Sequence, residues 1–317
     1  MHPTSLRCFN SPMDLPPGLT KLGLTARPLT ESDAEAVFAA MAKQEVHDIG
    51  SVQIELADIV ADWRRPSFDI EGSTIGIFEG LDLIGYGEIS GAGRGDAAVV
   101  PSARGRGIGT FLAQWMQNAA RQAGYASIRM PVPQGSAGDL LLKDLGYCPA
   151  WTAWELELPP GAVIAGRELP AGYQLRQATA EDDRAIWIVL EDGFLEWADR
   201  NREPFEDFVA LTRERPGFEP WNLRVVTDPA RDVVAATVVL LAGDEQIEGC
   251  VYRLAVRREE RGRGLAQALL ADCFSQARQH GASRSSLSTD SRTGALSLYE
   301  KVGMRVTSVW VSRAIDL

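Results

Sequence analysis

The nonapeptide RGRGIGTFL occupies residues 104–112, and RGRGLAQAL occupies residues 261–269. A near-identical segment that returns after 157 positions (Arg104 to Arg261) in a chain of 317 residues constrains the fold more than any other feature. Repetition at half the chain length points to a duplicated domain. A chain this long also exceeds what one hydrophobic core usually serves, so two domains of about 150 residues are expected.

The likeness spreads outward from the nonapeptide. FLAQWMQNAARQAGYASIRMPV continues the first copy, and QALLADCFSQARQHGASRSSLST continues the second. Each reads as a helix closed by a glycine, Gly124 or Gly281, and then a strand. Phe111, Trp115 and Ala119 recur at the spacing of one helix face, as do Leu265, Leu269 and Cys273. LLKDLGY from Leu141 aligns with LYEKVGM from Leu298 at the same offset. The fronts TARPLTESDAEAV (from Thr25) and QLRQATAEDDRAI (from Gln174) align at an offset of 149. Thr30 and Thr179 there read as helix caps with acids in the first turn. STIGIFEG, DLIGYGEIS, LRVVTD and VVAATVVLLAG carry the β-branched residues of strands.

Both halves therefore predict one order: strand, one or two helices, two or three strands, glycine loop, helix, strand, short helix, strand. The fold class is α/β (mixed α+β) in two tandem domains. Residues 1–20 read as a flexible Pro-rich leader without the basic-then-apolar order of a signal peptide. An N-terminal domain follows at 21–158, a linker at 159–172 and a C-terminal domain at 173–317; LPPGAVIAGRELPAGY supplies the linker composition.

The net charge of −11 argues against nucleic acid and anionic membranes as partners. The four cysteines (Cys8, Cys148, Cys250, Cys273) are scattered and only three histidines are present, so no metal site is expected. Unpaired thiols suit a reducing, cytoplasmic setting.

Each glycine loop falls between a strand and a helix. Gly105, Gly107 and Gly109 let backbone N–H groups approach a ligand, and a helix N-terminus favours anions there. Gly262 and Gly264 do the same in the second copy. A phosphate or pyrophosphate is the expected guest. The dinucleotide fingerprint fails, because Thr110 and Gln267 stand where its third glycine belongs. The P-loop ending G-K-[ST] is missing from both copies. Both copies satisfy R-x-x-G-x-[GA], through Arg104, Gly107, Gly109 and through Arg261, Gly264, Ala266.

That pattern resembles the pyrophosphate loop of the GCN5-related N-acetyltransferase (GNAT) superfamily. VVPSAR also matches the family's V-x-P-x-x-R lead-in, and the likeness covers about 22–158 and 172–317. It implies mixed, mostly antiparallel sheets flanked by helices, and acetyl-CoA as cosubstrate. It places the cosubstrate on Leu254, Ala255 and Val256, whose backbone would pair with pantetheine. It extends the site to Arg261, Gly262, Arg263, Gly264, Leu265, Ala266 and Gln267, with Ser291 where an asparagine is common. In the first half the same roles fall on Val99, Arg104, Gly105, Arg106, Gly107, Ile108, Gly109 and Thr110. Of three readings of that half (binding without turnover, turnover with another acid, or a purely structural repeat), binding without catalysis is the one expected.

Tyr299 matches the family's general acid beside the thioester sulfur; a tyrosine at that helix position could also be simple core. The first half has Leu142 there. In tandem members the C-terminal half is catalytic, and a glutamate serves as base where this chain has Cys250. Glu248, two residues earlier on the same strand face, is the base expected here, with Asp290 and Glu191 as alternatives. Trp151 and Trp154 read as the core face of a last strand. Trp187, Phe194 and Trp197, with Glu191, Glu196 and Asp199, fall where the family walls its acceptor pocket, or else form an ordinary amphipathic helix. The function implied is transfer of an acetyl group to the primary amine of a small molecule in the C-terminal half. The chain would act as a monomer, a pseudo-dimer of two domains, or as a homodimer. A non-catalytic acetyl-CoA sensor or scaffold is the alternative. A dinucleotide oxidoreductase is disfavoured by the failed fingerprint.

Overall fold

The computed structural model describes residues 15–198, 200–243 and 246–317. Most of the expected leader, with Cys8, and also Asp199 lie outside the described residues. Pro17–Thr20 form a helical turn (α1) that buries Leu19. The chain divides into two compact units. Unit 1 runs up to Ala150 and regains Val311–Leu317, and unit 2 is Trp151–Trp310.

Unit 1 follows α1 with β1 (Leu24–Arg27), α2 (Ala34–Ile49), α3 (Leu56–Trp63), α4 (Ile70–Ser73), β2 (Thr74–Glu79) and β3 (Asp82–Ser90). Then come β4 (Arg94–Val99), α5 (Ile108–Gln122), β5 (Ser127–Pro133), α6 (Ala137–Asp144) and the start of β6 (Cys148–Glu157). Strands β1 to β4 form an antiparallel meander, and β5 joins β4 in parallel. Ile75 and Ile77 of β2 meet Ile108, Leu112 and Met116 of α5 in the core. The end of the chain is part of this unit. The Leu317 N–H donates to the Ala126 carbonyl at 2.9 Å. Arg313 forms a buried ion pair with Asp139.

Unit 2 takes the rest of β6 and adds β7 (Gln174–Gln177), α7 (Asp183–Leu195), α8 (Phe205–Leu211), β8 (Leu223–Thr227) and β9 (Val233–Ala242). It continues with β10 (Glu248–Val256), α9 (Leu265–Gln279), β11 (Arg284–Asp290), α10 (Leu296–Lys301) and β12 (Arg305–Asp316), which passes into unit 1 at Val311. Strands β7 to β10 are antiparallel, β10 and β11 are parallel, and β11 and β6 are antiparallel. The sheet is thus mixed and mostly antiparallel, with Leu270 and Phe274 of α9 packed on Val251, Leu287 and Leu156. Trp154 packs against the same cluster, on the core side expected of it.

The helix-entry signals act alike in both units. The Asp33 carboxylate accepts from the Thr30 N–H at 2.9 Å, and Asp182 accepts from the Thr179 N–H at 2.8 Å. Arg27 and Arg176 clamp those aspartates from the preceding strands. The reciprocal cap satisfies donors that a helix start otherwise leaves open. Gly124 and Gly281 follow the long helices at φ 81° and 99°, as expected of left-handed caps. The stretch 159–172 has linker composition, yet it lies inside unit 2 and buries Ile164 in that core.

Candidate active site

The site begins with a strand that separates from its neighbour. β10 pairs with β11 from Glu248↔Arg284 to Val251↔Leu287, and there the pairing stops. β10 itself continues against β9 as far as Val256↔Ala235. The register slips between Val251 and Arg253, which leaves Tyr252 as an extra residue, a bulge that re-aims the strand. The opening is a cavity of about 620 Å³ lined by Val251–Val256 on one wall and Leu287–Asp290 on the other. A cavity of this size accommodates a cofactor-sized ligand.

The glycine loop floors one end. Gly262 and Gly264 hold φ 77° and 85°, a left-handed conformation that side chains resist. Gly264 is the N-cap of α9, so the first N–H groups of that helix face outward. Leu254, Ala255, Val256, Arg261, Gly262, Gly264, Leu265, Ala266 and Gln267 all line the cavity. Arg263 and Ser291 do not. Arg263 donates to the Tyr173 hydroxyl at 2.8 Å. The Ser291 hydroxyl accepts from the Thr152 N–H at 3.3 Å.

Tyr299 reaches the cavity from α10 and is 9% exposed. Burial pushes its phenol up to about 12, so it carries its proton at neutral pH and can donate it. Glu248 does not join it. It sits at the closed end of β10, outside the cavity lining, and pairs with Arg284 at 3.5 Å. Same-face logic placed it correctly beside Cys250, but the strand carries it away from the opening. Asp290 lines the cavity and is clamped by Arg292 at 2.5 Å. Glu191 is fully buried beneath the wall. It accepts from Arg200 at 2.7 Å and from the Glu203 N–H at 2.9 Å. Glu196 holds Arg261 at 2.6 Å. These acids therefore anchor arginines. Phe194 and Trp197 line the cavity, while Trp187 packs edge-on against Phe205.

Sequence reasoning missed Arg167, Gly193 and the bonding state of Trp197, whose place near the pocket it had named. Arg167, from the stretch expected as a linker, lies against Gly264 so closely that a Cβ there would collide with its guanidinium. Among the described residues it has no ion pair. Gln267 fixes that segment by donating to the Ala165 carbonyl at 3.0 Å. Trp197 lines the cavity with an indole N–H that is buried and, among the described residues, has no acceptor. Gly193 of α7 touches the cavity wall, where an added Cβ would stand 2.7 Å from that of Ala255. Of the two residues not named from the sequence, Arg167 and Gly193, only Gly193 left a signal, as an isolated glycine inside a helical pattern.

In unit 1 the corresponding loop encloses a cavity of about 240 Å³. Gly105, Ile108 and Gly109 line it, as does Val99; Gly107 and Thr110 do not. The Val99 N–H already donates to Gln44 Oε1 at 2.9 Å. Arg104 is clamped by Asp48 at 2.7 and 2.8 Å, and Arg106 by Glu79 at 2.8 Å. Leu142, 2% exposed, stands in the core where unit 2 has Tyr299.

Comparison with known proteins agrees with this geometry. Residues 172–304 match the family model described as the acetyltransferase (GNAT) family. A mycothiol acetyltransferase from Thermobispora bispora is 29% identical over 248 residues, which span 72% of this chain and 78% of that protein. A GCN5-related N-acetyltransferase from Sphaerobacter thermophilus superposes with a TM-score of 0.71 at 23% identity, covering 96% of this chain and 97% of that one. A tandem GNAT protein from the clavulanic acid biosynthesis pathway superposes with a TM-score of 0.70 at 17% identity, covering 92% and 98%. Residues 172–304 thus match the GNAT acetyltransferase family, and the chain as a whole has the fold of a tandem GNAT protein.

Proposed function

We propose that unit 2 moves an acetyl group from acetyl-CoA to the primary amine of a small molecule by direct transfer. The observation that carries this is the convergence of three parts on one cavity: the opened β10–β11 edge, the glycine loop and Tyr299. The loop and the N-terminus of α9 would hold the pyrophosphate, with Arg167 adding a positive charge beside Gly264. The backbone of Leu254–Val256 would pair with the amides of pantetheine as a missing strand would. That pairing would place the thioester between the two strands, within reach of backbone N–H groups that stabilise the oxyanion. Tyr299 would then protonate the leaving thiolate, and its raised pKa keeps it charged with that proton until needed. The relative named mycothiol acetyltransferase supports a small-molecule acceptor.

Release of CoA thiol from acetyl-CoA against a panel of primary amines tests this reading. Wild type should release thiol only with an amine present. Tyr299→Phe should lower that rate at least ~10-fold, the usual scale for loss of a general acid. Calorimetric binding of acetyl-CoA without turnover on any amine would instead support a sensor or scaffold.

A further inference from the structure

The cavity holds an acid in Tyr299, but the amine that attacks must also lose a proton. The register of the sheet shows where it can go. Glu155 of β6 stands opposite Ser288 of β11, and Glu157 stands opposite Ser286. On the other side of β11, Arg284 stands opposite Glu248, and Ser286 opposite Cys250. Cross-strand partners share a face, so these side chains lie on the side of the sheet away from α9, whose contacts are Leu156, Val251 and Leu287. Two of the three carboxylates on this face, Glu157 and Glu248, are held by one guanidinium. Arg284 binds Glu157 and pairs with Glu248 at 3.5 Å. Glu155 is left outside those ion pairs, with Ser288 as its direct cross-strand neighbour. Ser288 lines the cavity that also holds Tyr299.

We propose that Ser288 and Glu155 form the proton exit of the acetyl transfer, with Ser288 meeting the amine and Glu155 receiving the proton behind it. The inference rests on the amine-acetylation reading above. As the amine nitrogen bonds to the thioester carbon, its proton passes to the Ser288 oxygen, whose own proton moves to the Glu155 carboxylate. The carbon–sulfur bond breaks, and the thiolate takes the proton of Tyr299. Solvent later removes the proton from Glu155, and Tyr299 regains its own.

The surroundings suit the task. Burial pushes the Glu155 carboxyl up to about 7, the Ser288 hydrogen bond pulls it down, and the negative charges of Glu248 and Glu157 push it up further. From β12, Thr307 donates to the Glu155 carbonyl at 3.3 Å, and Arg305 two residues earlier is exposed. A base poised near working pH is the most effective kind.

The test measures kcat/KM against pH with glucosamine and with ethylamine as acceptors, and acetyl-CoA affinity by calorimetry. Wild type should show a rate that rises with pH through about 7, as Glu155 loses its proton. Glu155→Gln should remove that rise and lower kcat/KM on the order of 100-fold, with acetyl-CoA affinity unchanged. Ser288→Ala should lose most of the same factor, and Glu155→Asp should restore the rise. A rise that persists in Glu155→Gln overturns the proposal, because it then belongs to the amine or another group. Loss of acetyl-CoA affinity in Glu155→Gln also overturns it. If wild type binds acetyl-CoA but acetylates neither amine, the acceptor reading is what fails, and the infrared carboxyl band of Glu155 decides the rest. A band that titrates near 7 and shifts on adding acetyl-CoA supports the proton exit. A titration in the ordinary carboxylate range overturns it.

Discussion

The two glycine loops share a backbone and differ in everything around it. Gly105 and Gly262 both hold φ 77°, and Gly107 and Gly264 hold 87° and 85°. Each loop starts a helix of 15 residues. Yet one cavity measures about 240 Å³ and the other about 620 Å³. The difference comes from side chains outside the loop. At the front offset of 149, Gln44 of α2 corresponds to Gly193 of α7. Gln44 reaches across to the edge strand, accepting from the Val99 N–H at 2.9 Å and donating to the Ala97 carbonyl at 3.5 Å. Its amide thus satisfies the backbone groups that in unit 2 correspond to Val256 and Leu254. Gly193 presents no side chain and lets α7 approach Ala255 closely. A phosphate cradle is a property of the motif, whereas an open strand edge is a property of what the neighbouring helix lacks.

The strongest way to break this contrast is to exchange the two residues. Gly193→Gln brings a Cβ within 2.7 Å of the Ala255 Cβ and an amide to the strand edge. Overpacking of about 2–3 kcal/mol, on the order of 100-fold in affinity, is expected in acetyl-CoA binding to unit 2. Calorimetry on wild type should give one acetyl-CoA per chain. Gln44→Gly should add a second, weaker binding event from unit 1. Two equal sites in wild type would show that the Gln44 contacts yield readily to ligand, and the contrast would collapse.

Arg167 sharpens the comparison at smaller scale. It supplies unit 2 with a cation at the loop besides the arginines already held by carboxylates. Arg167→Ala should weaken acetyl-CoA binding by about 1 kcal/mol, roughly 5-fold, and high salt should shrink the difference. Acetyl-pantetheine lacks the pyrophosphate and should bind wild type and variant alike. Equal loss with both ligands would mean that the substitution only loosened the segment docked on Gln267.

The same contrast explains what was legible in the sequence. The duplicated element order, the capping threonines and the glycine terminators rest on contacts a few residues apart, and the structure places each where the pattern puts it. The repeat of Leu141 and Gly146 at Leu298 and Gly303 aligned the helix, but Tyr299 itself was singled out only by the family resemblance, since the repeat has Leu142 there. The hand-over of Val311–Leu317 to unit 1 was not, because composition marks a polar linker but not which sheet edge a distant strand completes. Glu155 and Ser288 were invisible for the same reason, being 133 positions apart (155 to 288) and joined only by strand register. Glu248 shows the limit from the other side: its face was readable from alternation, but its distance along the strand from the opening was not.

The smallest expected effect concerns what the units kept in common. Asp33 and Asp182 are both held at about 2, against an ordinary 3.8, chiefly by hydrogen bonds from Arg27 and Arg176 and further by Thr30 and Thr179. A carboxyl whose folded pKa is depressed stabilises the fold fully above its unfolded value and loses that contribution as pH falls through the folded one. The window is therefore about pH 4 down to about 2 for both units. The arginine side chains are 48% and 37% exposed, so solvent screening limits each box to about 1 kcal/mol. Arg27→Gln and Arg176→Gln should each flatten the loss of thermal stability across that window, without altering stability trends above pH 5. Calorimetric unfolding at several acid pH values checks this. Flattening of equal size in the two variants fits twin boxes inherited from one ancestor. A response to Arg176→Gln alone would show that unit 2 limits acid stability, and that unit 1 retains its box without depending on it.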